Sequence, residues 1–475
     1  MKKILYAMLP ALIFTTSCKK GITDINVNPK SPLNVPSATV FTNAERVLTN
    51  TVTSSNVNLN IFRLIEQQWQ ETTYTDESNY DINTRTIRDG IWNAMYRDVL
   101  KNLDQVKTLG ATEGLSTTNL NTNKAISDVL EVYTYYYLLT TFGNIPYTQS
   151  LSDNILFPKY DDAKTVYYDL LTRLDADIAI LNTGSSSLGS ADIIYGGDAT
   201  KWKLFANTFK LKMGITVSDL DNAKAKTVVE SAVTAGVFTS NADNAYFQYL
   251  SAPPNTNPIW VDLVQSGRKD FVATTTLINQ LQSTNDPRLP FYFTLDAAGG
   301  YSGGVPGASS NYTTFSKPST TITAPDFPGL LLSYAETEFN LAEAIERGYN
   351  VGGTAATYYN NGITASVLQW KGTTNSAEIY IVQPSVNYLT ATGTYKQKIG
   401  TQKWIALYNR GWDAWIEQRR LDYPALVAPA TALTAFPFRF TYPVNEGNTN
   451  GANVKAAGTA IGGDLVTTKL FFDKF

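Results

Sequence analysis

The amino-acid sequence predicts a mostly α-helical fold that forms one large domain. Apolar residues recur at helical spacing over most of the chain, as in the stripe Val166, Leu170, Leu174, Ile178 and Leu181. This period fades only between residues 240 and 328, where Gly, Pro, Ser, Thr and Asn accumulate. That composition is typical of long ordered loops with short strands. No repeat of fixed length runs through the 475 residues, so we expect irregular helix pairs and not a regular solenoid.

The N-terminal segment predicts a secreted protein with a lipid anchor. Two lysines precede an apolar run over residues 4–14, and small residues then lead to Cys18, the single cysteine of the chain. The apolar run is much shorter than the roughly 20 residues that span a bilayer. The segment resembles the lipobox of bacterial lipoproteins, although Thr15 stands where Leu is usual. Ordinary secretion with a chance cysteine is the alternative.

The residues that follow Cys18 predict a tether before the helical domain. This stretch is polar and rich in Asn and Pro. At about 3.3 Å per residue, its extended length reaches about 60 Å. We therefore predict a signal peptide over residues 1–17, a lipidated cysteine with its tether over 18–36, and the helical domain over 37–475.

Composition excludes several classes of chemistry. The chain has no His and one Cys, so it cannot form a Ser-His-Asp triad, a Cys-His dyad, a Cys/His zinc site or an intrachain disulfide. Its net charge of −3 is too balanced for binding driven by nucleic-acid phosphates. Only 17% of residues are charged while 12% are aromatic, which indicates a surface suited to uncharged, hydroxyl-rich or peptide-like ligands.

Acidic residues give weak support for catalysis or for a metal. A glycosidase needs two carboxylates that flank the scissile bond. Glu336, Glu343 and Glu346 are predicted to lie on the solvated side of one helix, whereas Glu338 falls within its apolar stripe. We predict that Glu338 is a structural carboxylate paired with Arg or Tyr. The chain has no Asp-x-Asp-x-Asn-Gly calcium loop, and we predict a non-enzyme with no metal and no cofactor.

A series of short motifs resembles one protein family. The segment Thr141–Tyr147 (TFGNIPY) follows an aromatic helix and is similar to a Phe-Gly-Asp-Ile-Pro-Tyr motif, with Asn144 in place of the commoner Asp. Residues 332–348 (LSYAETEFNLAEAIERG), the loop Tyr74–Tyr80 and the stretch Ser266–Phe271 also match. Further matching segments lie, in order, at 158–167, 201–211, 402–420 and 439–443. Together these motifs resemble the SusD/RagB nutrient-binding outer-membrane lipoproteins of Bacteroidetes, in particular their SusD-like branch.

The resemblance implies a fold, a location and a function. Family members are lipid-anchored at the outer membrane and face the cell exterior. They lie on a SusC-like TonB-dependent transporter, for which they capture oligosaccharides or, in some branches, peptides. Their single domain is mostly helical, with tetratricopeptide-like helix pairs on one side and a loop-rich ligand face. The segment 19–21 lacks the acidic run that often accompanies surface export, which leaves the leaflet open. A helical-repeat envelope scaffold that binds only protein partners is the alternative function.

Aromatic residues outside helical stripes are the best candidates for ligand contact, because a ring face can stack on a sugar or a peptide. Tyr74 and Tyr80 bracket a polar loop, and Trp260 lies with Arg268 in the loop-rich half of the chain. We predict that these four residues lie near one concave surface that binds ligand. Five tryptophans fall within helical stripes and are predicted to be core residues: Trp69, Trp92, Trp202, Trp404 and Trp415.

Overall fold

Helices dominate the structure, a computed structural model that describes residues 35–474. The predicted mostly α-helical fold is confirmed within these residues. The predicted signal peptide, Cys18 and nearly all of the predicted tether lie outside the described residues. Among residues 35–474, no helix is both long and apolar enough to cross a membrane.

The helices and strands have the following bounds. The helices of the first half are α1 Ser37–Thr53, α2 Phe62–Ile65, α3 Ile87–Asn93, α4 Lys101–Gly110, α5 Thr117–Phe142, α6 Ala163–Leu181, α7 Ala199–Thr216 and α8 Asn222–Ala235. Those of the second half are α9 Pro258–Trp260, α10 Thr275–Ser283, α11 Leu289–Tyr292, α12 Tyr334–Glu346, α13 Ala355–Gln369, α14 Thr374–Ile381, α15 Tyr395–Ala406, α16 Gly411–Leu421, α17 Val444–Thr449 and α18 Gly451–Ala460. The strands are β1 Trp69–Glu71, β2 Ile145–Pro146, β3 Tyr160–Asp161, β4 Tyr246–Phe247, β5 Phe271–Ala273 and β6 Gly329–Leu330.

Side-chain caps start many of these helices where the sequence places a short polar residue. Asp162 accepts from the backbone N–H of Thr165 at the start of α6, at 2.8 Å. Ser333 caps α12 in the same way. Each such cap satisfies a backbone donor that the first turn leaves free, and contributes about 1 kcal/mol to stability.

Within residues 35–474, the strands form three short antiparallel ribbons instead of a larger sheet: β1–β5, β2–β3 and β4–β6. The β1–β5 ribbon joins segments that are far apart in the chain, with Trp69 opposite Ala273 and Glu71 opposite Phe271. It therefore brings the loop after β1 beside the loop before β5. These two loops hold Tyr74 and Arg268.

The core surrounds α5, which is buried along most of its length and packs against α4 and α6. Its Tyr136 ring meets the edge of Phe209 from α7 at 5.2 Å. All five tryptophans predicted for the core are buried, with at most 6% of their surface exposed. The large aromatic rings therefore supply much of the apolar area that the fold removes from water.

Residues 330–370 form one of the expected irregular helix pairs, α12 and α13. Small residues allow the two helices to approach closely. A Cβ atom at Gly362 would lie 3.0 Å from three carbons of the Phe339 ring, so the ring occupies the space that a side chain would need. Phe339, Tyr359 and Ile363 are buried in the shared core of this pair.

Two of the glutamates predicted to lie in solvent are buried instead. Glu336 and Glu343 on α12 are 1% and 0% exposed, because α7, α15 and α16 cover the polar side of that helix. Glu336 pairs with Lys212 and with Arg410, each at 2.8 Å. Glu343 pairs with Arg420 at 2.6 Å. Glu346, in contrast, is exposed as predicted.

Glu338 is buried, and the polar side chains that act on it are those of Asn361 and Tyr334 and not of an arginine. Burial raises the pKa of Glu338, while hydrogen bonding with the Asn361 and Tyr334 side chains lowers it by less. Glu338 makes no ion pair with the described residues. Its stabilising role therefore does not rest on a salt bridge.

Candidate functional site

The β1–β5 ribbon supports a cleft at the point where β1 ends and β5 begins. Thr72 extends the pairing, since its N–H donates to the Asp270 carbonyl at 2.8 Å and its hydroxyl donates to the Lys269 carbonyl at 2.7 Å. The resulting cleft has a volume of about 190 Å³. It is lined by Val57, Glu71, Thr72, Thr73, Tyr74, Arg85, Arg268, Lys269, Asp270 and Phe271. We call it the ribbon cleft.

Two of the four predicted ligand-binding residues meet in the ribbon cleft. The Tyr74 ring is 73% exposed, the largest exposure of any described aromatic side chain. The Arg268 side chain is 60% exposed and pairs with Asp270 at 2.7 Å. The cleft thus presents a free ring face beside a hydrogen-bonding guanidinium, an arrangement that can stack on a sugar ring and bind its hydroxyls.

Tyr80 is not on this surface, which corrects the prediction. Its side chain is fully buried, and the edge of its ring packs against Phe436 at 6.0 Å. The residue has a φ of 64°, and this left-handed conformation ends the short helical turn Glu77–Asn79. Gln67 Nε2 donates to the Tyr80 hydroxyl at 3.3 Å. The loop of Tyr80 has no apolar side chain for the ring to pack on, and Phe436, near the C-terminus, provides that contact.

Trp260 is not among the residues that line the ribbon cleft. It is half-buried at the end of α9, which Asn257 begins by accepting from the Ile259 N–H. The structure therefore brings Tyr74 and Arg268 together without Trp260. Ligand contact by Tyr74, Trp260 and Arg268 stays a prediction.

A second depression lies beside the same ribbon. This groove has a volume of about 750 Å³, and none of the described residues that line it is charged. Its polar side chains include Gln67, Gln280, Gln397, Thr276 and Thr401, and the mostly apolar residues 423–430 line it together with Val305, Pro306 and Trp404. We call it the amide groove. No local sequence pattern indicates this groove, because its residues come from separate segments of the chain.

One loop separates the two depressions and is held by the ribbon. The Gly304 N–H donates to the Ala273 carbonyl at 2.8 Å, and the Ser310 N–H donates to the Thr72 carbonyl at 2.9 Å. Between these points, the Gly307 N–H donates to Gln70 Oε1 at 2.9 Å. The amide groove and the ribbon cleft therefore lie at the two ends of the β1–β5 ribbon, and this loop follows the ribbon from one end to the other.

Tyr312 adds a further ring near the ribbon cleft. Its ring centroid lies 6.0 Å from Lys269 Nζ and 5.4 Å from Lys317 Nζ, so two cations flank a half-buried aromatic side chain. Such pairs are favourable because the ring face carries negative electrostatic potential. The sequence analysis identified Arg268 as a ligand candidate but not its neighbour Lys269.

A pair of carboxyl groups lies under the ribbon cleft. Burial, and then the neighbouring Glu77, raise the pKa of Glu71 to about 9. Glu71 is thus protonated at neutral pH, while Glu77 pairs with Arg85.

Within the described residues, no cluster of three His, Cys, Asp or Glu side chains could hold a metal ion.

The raised pKa of Glu71 predicts a pH-dependent stability. In the folded protein, Glu71 keeps its proton up to about pH 9. In the unfolded chain, it loses the proton near pH 4.5, the ordinary pKa of a glutamate. The stabilising contribution is therefore present below pH 4.5 and is lost as the pH rises towards 9, at up to about 1.4 kcal/mol per pH unit. We expect the free energy of unfolding of Glu71→Gln to decrease less steeply between pH 6 and 8 than that of the wild type. Urea denaturation at each pH measures this difference.

The matched control for that measurement is Glu378→Gln, which changes an exposed carboxyl in the same way. It should leave the pH dependence of the wild type unchanged. Equal slopes for Glu71→Gln and the wild type would contradict the assignment of a buried proton to this pair.

Comparison with known families identifies the chain. The model of a SusD-like family, described as starch-binding and associating with the outer membrane, matches residues 29–443. The chain belongs to this SusD-like family. The family is described as starch-binding, and this agrees with the predicted carbohydrate ligand at the level of the family.

Solved structures agree with the assignment to the SusD-like family. A chitin-binding protein superposes with a TM-score of 0.81 at 25% identity, covering 92% of this chain and all of that one. A chitin-binding SusD homologue from Flavobacterium johnsoniae gives 0.77 at 25% identity, over 91% and 98% of the two chains. A SusD-like protein from Bacteroides thetaiotaomicron gives 0.78 at 26% identity, over 92% and 99%. No curated protein matches the sequence.

Proposed function

We propose that this protein is a cell-surface lipoprotein, without catalytic activity, that captures oligosaccharides and delivers them to a SusC-like TonB-dependent transporter. The observation that carries the proposal is the exposed Tyr74 ring beside Arg268, near a groove whose lining is uncharged and includes three glutamines and two threonines. Sugar hydroxyls pair well with such groups, and a pyranose ring stacks on an aromatic face. The chitin-binding names of two structural neighbours support a carbohydrate over a peptide.

The size of the two depressions supports a ligand of several units. The ribbon cleft has room for one ring-sized group, and the amide groove is about four times as large. Since the two depressions lie at the two ends of one short ribbon, we propose that an extended oligosaccharide occupies the groove while one unit stacks on Tyr74. The lipid anchor at Cys18 and the transporter partner rest on the lipobox and on the resemblance of the motifs.

The proposal predicts that Tyr74→Ala weakens oligosaccharide binding several-fold. A stacked ring contributes roughly 1 kcal/mol to binding, and the loss of this exposed side chain should leave the melting temperature unchanged. Isothermal titration calorimetry with a chitin hexamer and a starch-derived heptamer measures the effect. Phe157→Ala is the control, because Phe157 is 60% exposed but lines neither the cleft nor the groove.

The same titrations decide between ligand classes. Equal affinity of Tyr74→Ala and the wild type would remove the ribbon cleft from the site. Binding of neutral peptides but not of the two glycans would redirect the proposal to peptide capture. If no glycan or peptide binds, and no TonB-dependent transporter copurifies from solubilised membranes, a scaffold that binds only protein is favoured.

A further inference from the structure

A third cavity lies apart from the ribbon cleft and the amide groove, and shares no lining residue with either. Its volume is about 320 Å³, which is at the lower end of the range for small-molecule pockets. Its walls are the loop that leads into β6, the end of α13 and the turn between α15 and α16. We call it the β6 cavity.

Two unpaired charges of opposite sign line the β6 cavity. They belong to Asp326 and Lys371, and both side chains are exposed. Within the part of the chain that the structure describes, neither side chain forms an ion pair or a hydrogen bond, so the two do not pair with each other either. The cavity therefore presents a carboxylate and an ammonium group that are both available to a ligand.

The backbone holds Asp326 in place from both sides. The Asn257 N–H donates to the Pro325 carbonyl at 2.8 Å, and Asn257 Nδ2 donates to the Phe327 carbonyl at 2.6 Å. The Phe327 N–H donates to the Ala324 carbonyl at 3.2 Å, which closes a turn around Asp326. Because this segment is fixed before a ligand arrives, binding costs less ordering of the chain.

Lys371 is held by the end of α13. It has a φ of 66°, and its N–H donates to the Leu368 carbonyl at 3.0 Å. This left-handed conformation favours glycine, so the chain presents a lysine side chain here at some cost in backbone strain. The preceding ring, Trp370, stacks on Phe327 with centroids 5.7 Å apart. Since Phe327 follows Asp326 in the chain, this stack brings both charged residues to the same part of the cavity.

The other charged groups of the lining balance each other. Arg410 and Asp413 pair at 2.7 Å, and Glu336 and Lys212 complete a cluster of two cations and two carboxylates. The lining as a whole thus carries no net charge. A ligand with a single charge would pair with only one of the two exposed groups and would add a net charge to the cavity. A zwitterion pairs with both groups and adds none.

The rest of the accessible lining suits an apolar body. All of its half-buried side chains are uncharged, and most of them are apolar. The apolar ones are Val52, Ala324, Phe327, Pro328 and Leu330. Contact with these residues removes apolar ligand surface from water.

We propose that the β6 cavity is a second ligand site, which takes a zwitterionic molecule of the size of an amino acid with an apolar side chain. The ammonium group of the ligand pairs with Asp326 and its carboxylate with Lys371, while its side chain packs on Phe327 and Leu330. The site is independent of oligosaccharide capture at the ribbon cleft and the amide groove.

Three probes that share one phenylalkyl body test this proposal on the purified full chain: phenylalanine, phenethylamine and 3-phenylpropionate. The first carries both charges, the second only the ammonium group and the third only the carboxylate. In ligand-observed NMR titrations at low salt, we expect phenylalanine to bind at least tenfold more tightly than either of the others. Equal binding of the three probes, or no binding of phenylalanine at millimolar concentration, would overturn the proposal.

Replacement of each charge locates the site. Lys371→Met should bind phenylalanine no more tightly than phenethylamine, and Asp326→Asn should bind it no more tightly than 3-phenylpropionate, because each variant keeps one charge. Lys201→Met is the control, since Lys201 is exposed and lines none of the three depressions, and it should keep the full preference. All three variants should keep the melting temperature and the oligosaccharide binding of the wild type. A preference for phenylalanine that persists in both cavity variants would contradict the roles of Asp326 and Lys371.

Discussion

Replacement of Lys212 by Met is expected to lower the free energy of unfolding by about 3 to 5 kcal/mol, because it removes one partner of a buried ion cluster. The Lys212 side chain has no exposed surface, and its Nζ lies 2.8 Å from Glu336 Oε1 and also contacts Asp413. These carboxylates raise the pKa of Lys212 well above its ordinary value, despite the opposing effect of burial. In the variant, two buried carboxylates would share Arg410 as their nearest cation.

Chemical denaturation of both proteins measures this difference, with Lys226→Met as the matched control. Lys226 pairs with Glu230 at 2.6 Å on the surface, where its side chain is 44% exposed. An exposed pair of this kind contributes at most about 1 kcal/mol. If Lys212→Met were no less stable than Lys226→Met, the buried cluster would not contribute to stability in the way that its geometry implies.

Replacement of Cys18 by Ala is expected to release the protein from the membrane fraction or to trap its precursor. Cys18 is the single cysteine of the sequence and the predicted site of lipid attachment. Acyl chains supply the apolar contact that holds such a protein to a bilayer. Metabolic labelling with a fatty acid, followed by membrane fractionation, measures the effect. The label should disappear together with the membrane association.

Ser17→Ala is the matched control for the anchor, because it keeps a small residue before the cysteine. It should retain both the label and the membrane association. Label that persists in Cys18→Ala would contradict lipid attachment at this residue, whatever the location of the protein.

Helical periodicity was sufficient to predict the fold class and much of the core. Each stripe is a local property, since residues three and four apart lie on the same face of a helix whatever surrounds it. The buried tryptophans Trp202 and Trp415 followed from this rule, whereas Trp69, which its stripe placed on a helix, begins strand β1 and is buried there. The ordered series of motifs indicated the SusD-like family for the same reason, because it depends only on residues close together in the chain.

The candidate site was predicted in part. Tyr74 and Arg268 were identified as ligand candidates because they lie in turn-rich segments outside helical stripes. Their meeting in one cleft depends on the pairing of β1 with β5, which joins residues 69–71 to residues 271–273. Tyr80 has the same local signature as Tyr74 but is buried against Phe436, and local pattern alone cannot separate the two tyrosines.

By itself the sequence determined the mostly helical fold class, the family and the absence of histidine chemistry, and it predicted the lipid anchor. All of these depend on composition or on neighbours along the chain. The tertiary structure alone decided which polar faces are covered. Glu336 and Glu343 have the spacing of a solvated helix face, yet α7 places Lys212 against them, the turn before α16 places Arg410 and α16 places Arg420. The amide groove arises in the same way, from separate segments that meet only in the folded chain. A side chain's position on its own helix is set by local geometry, whereas its exposure depends on distant elements that pack against it.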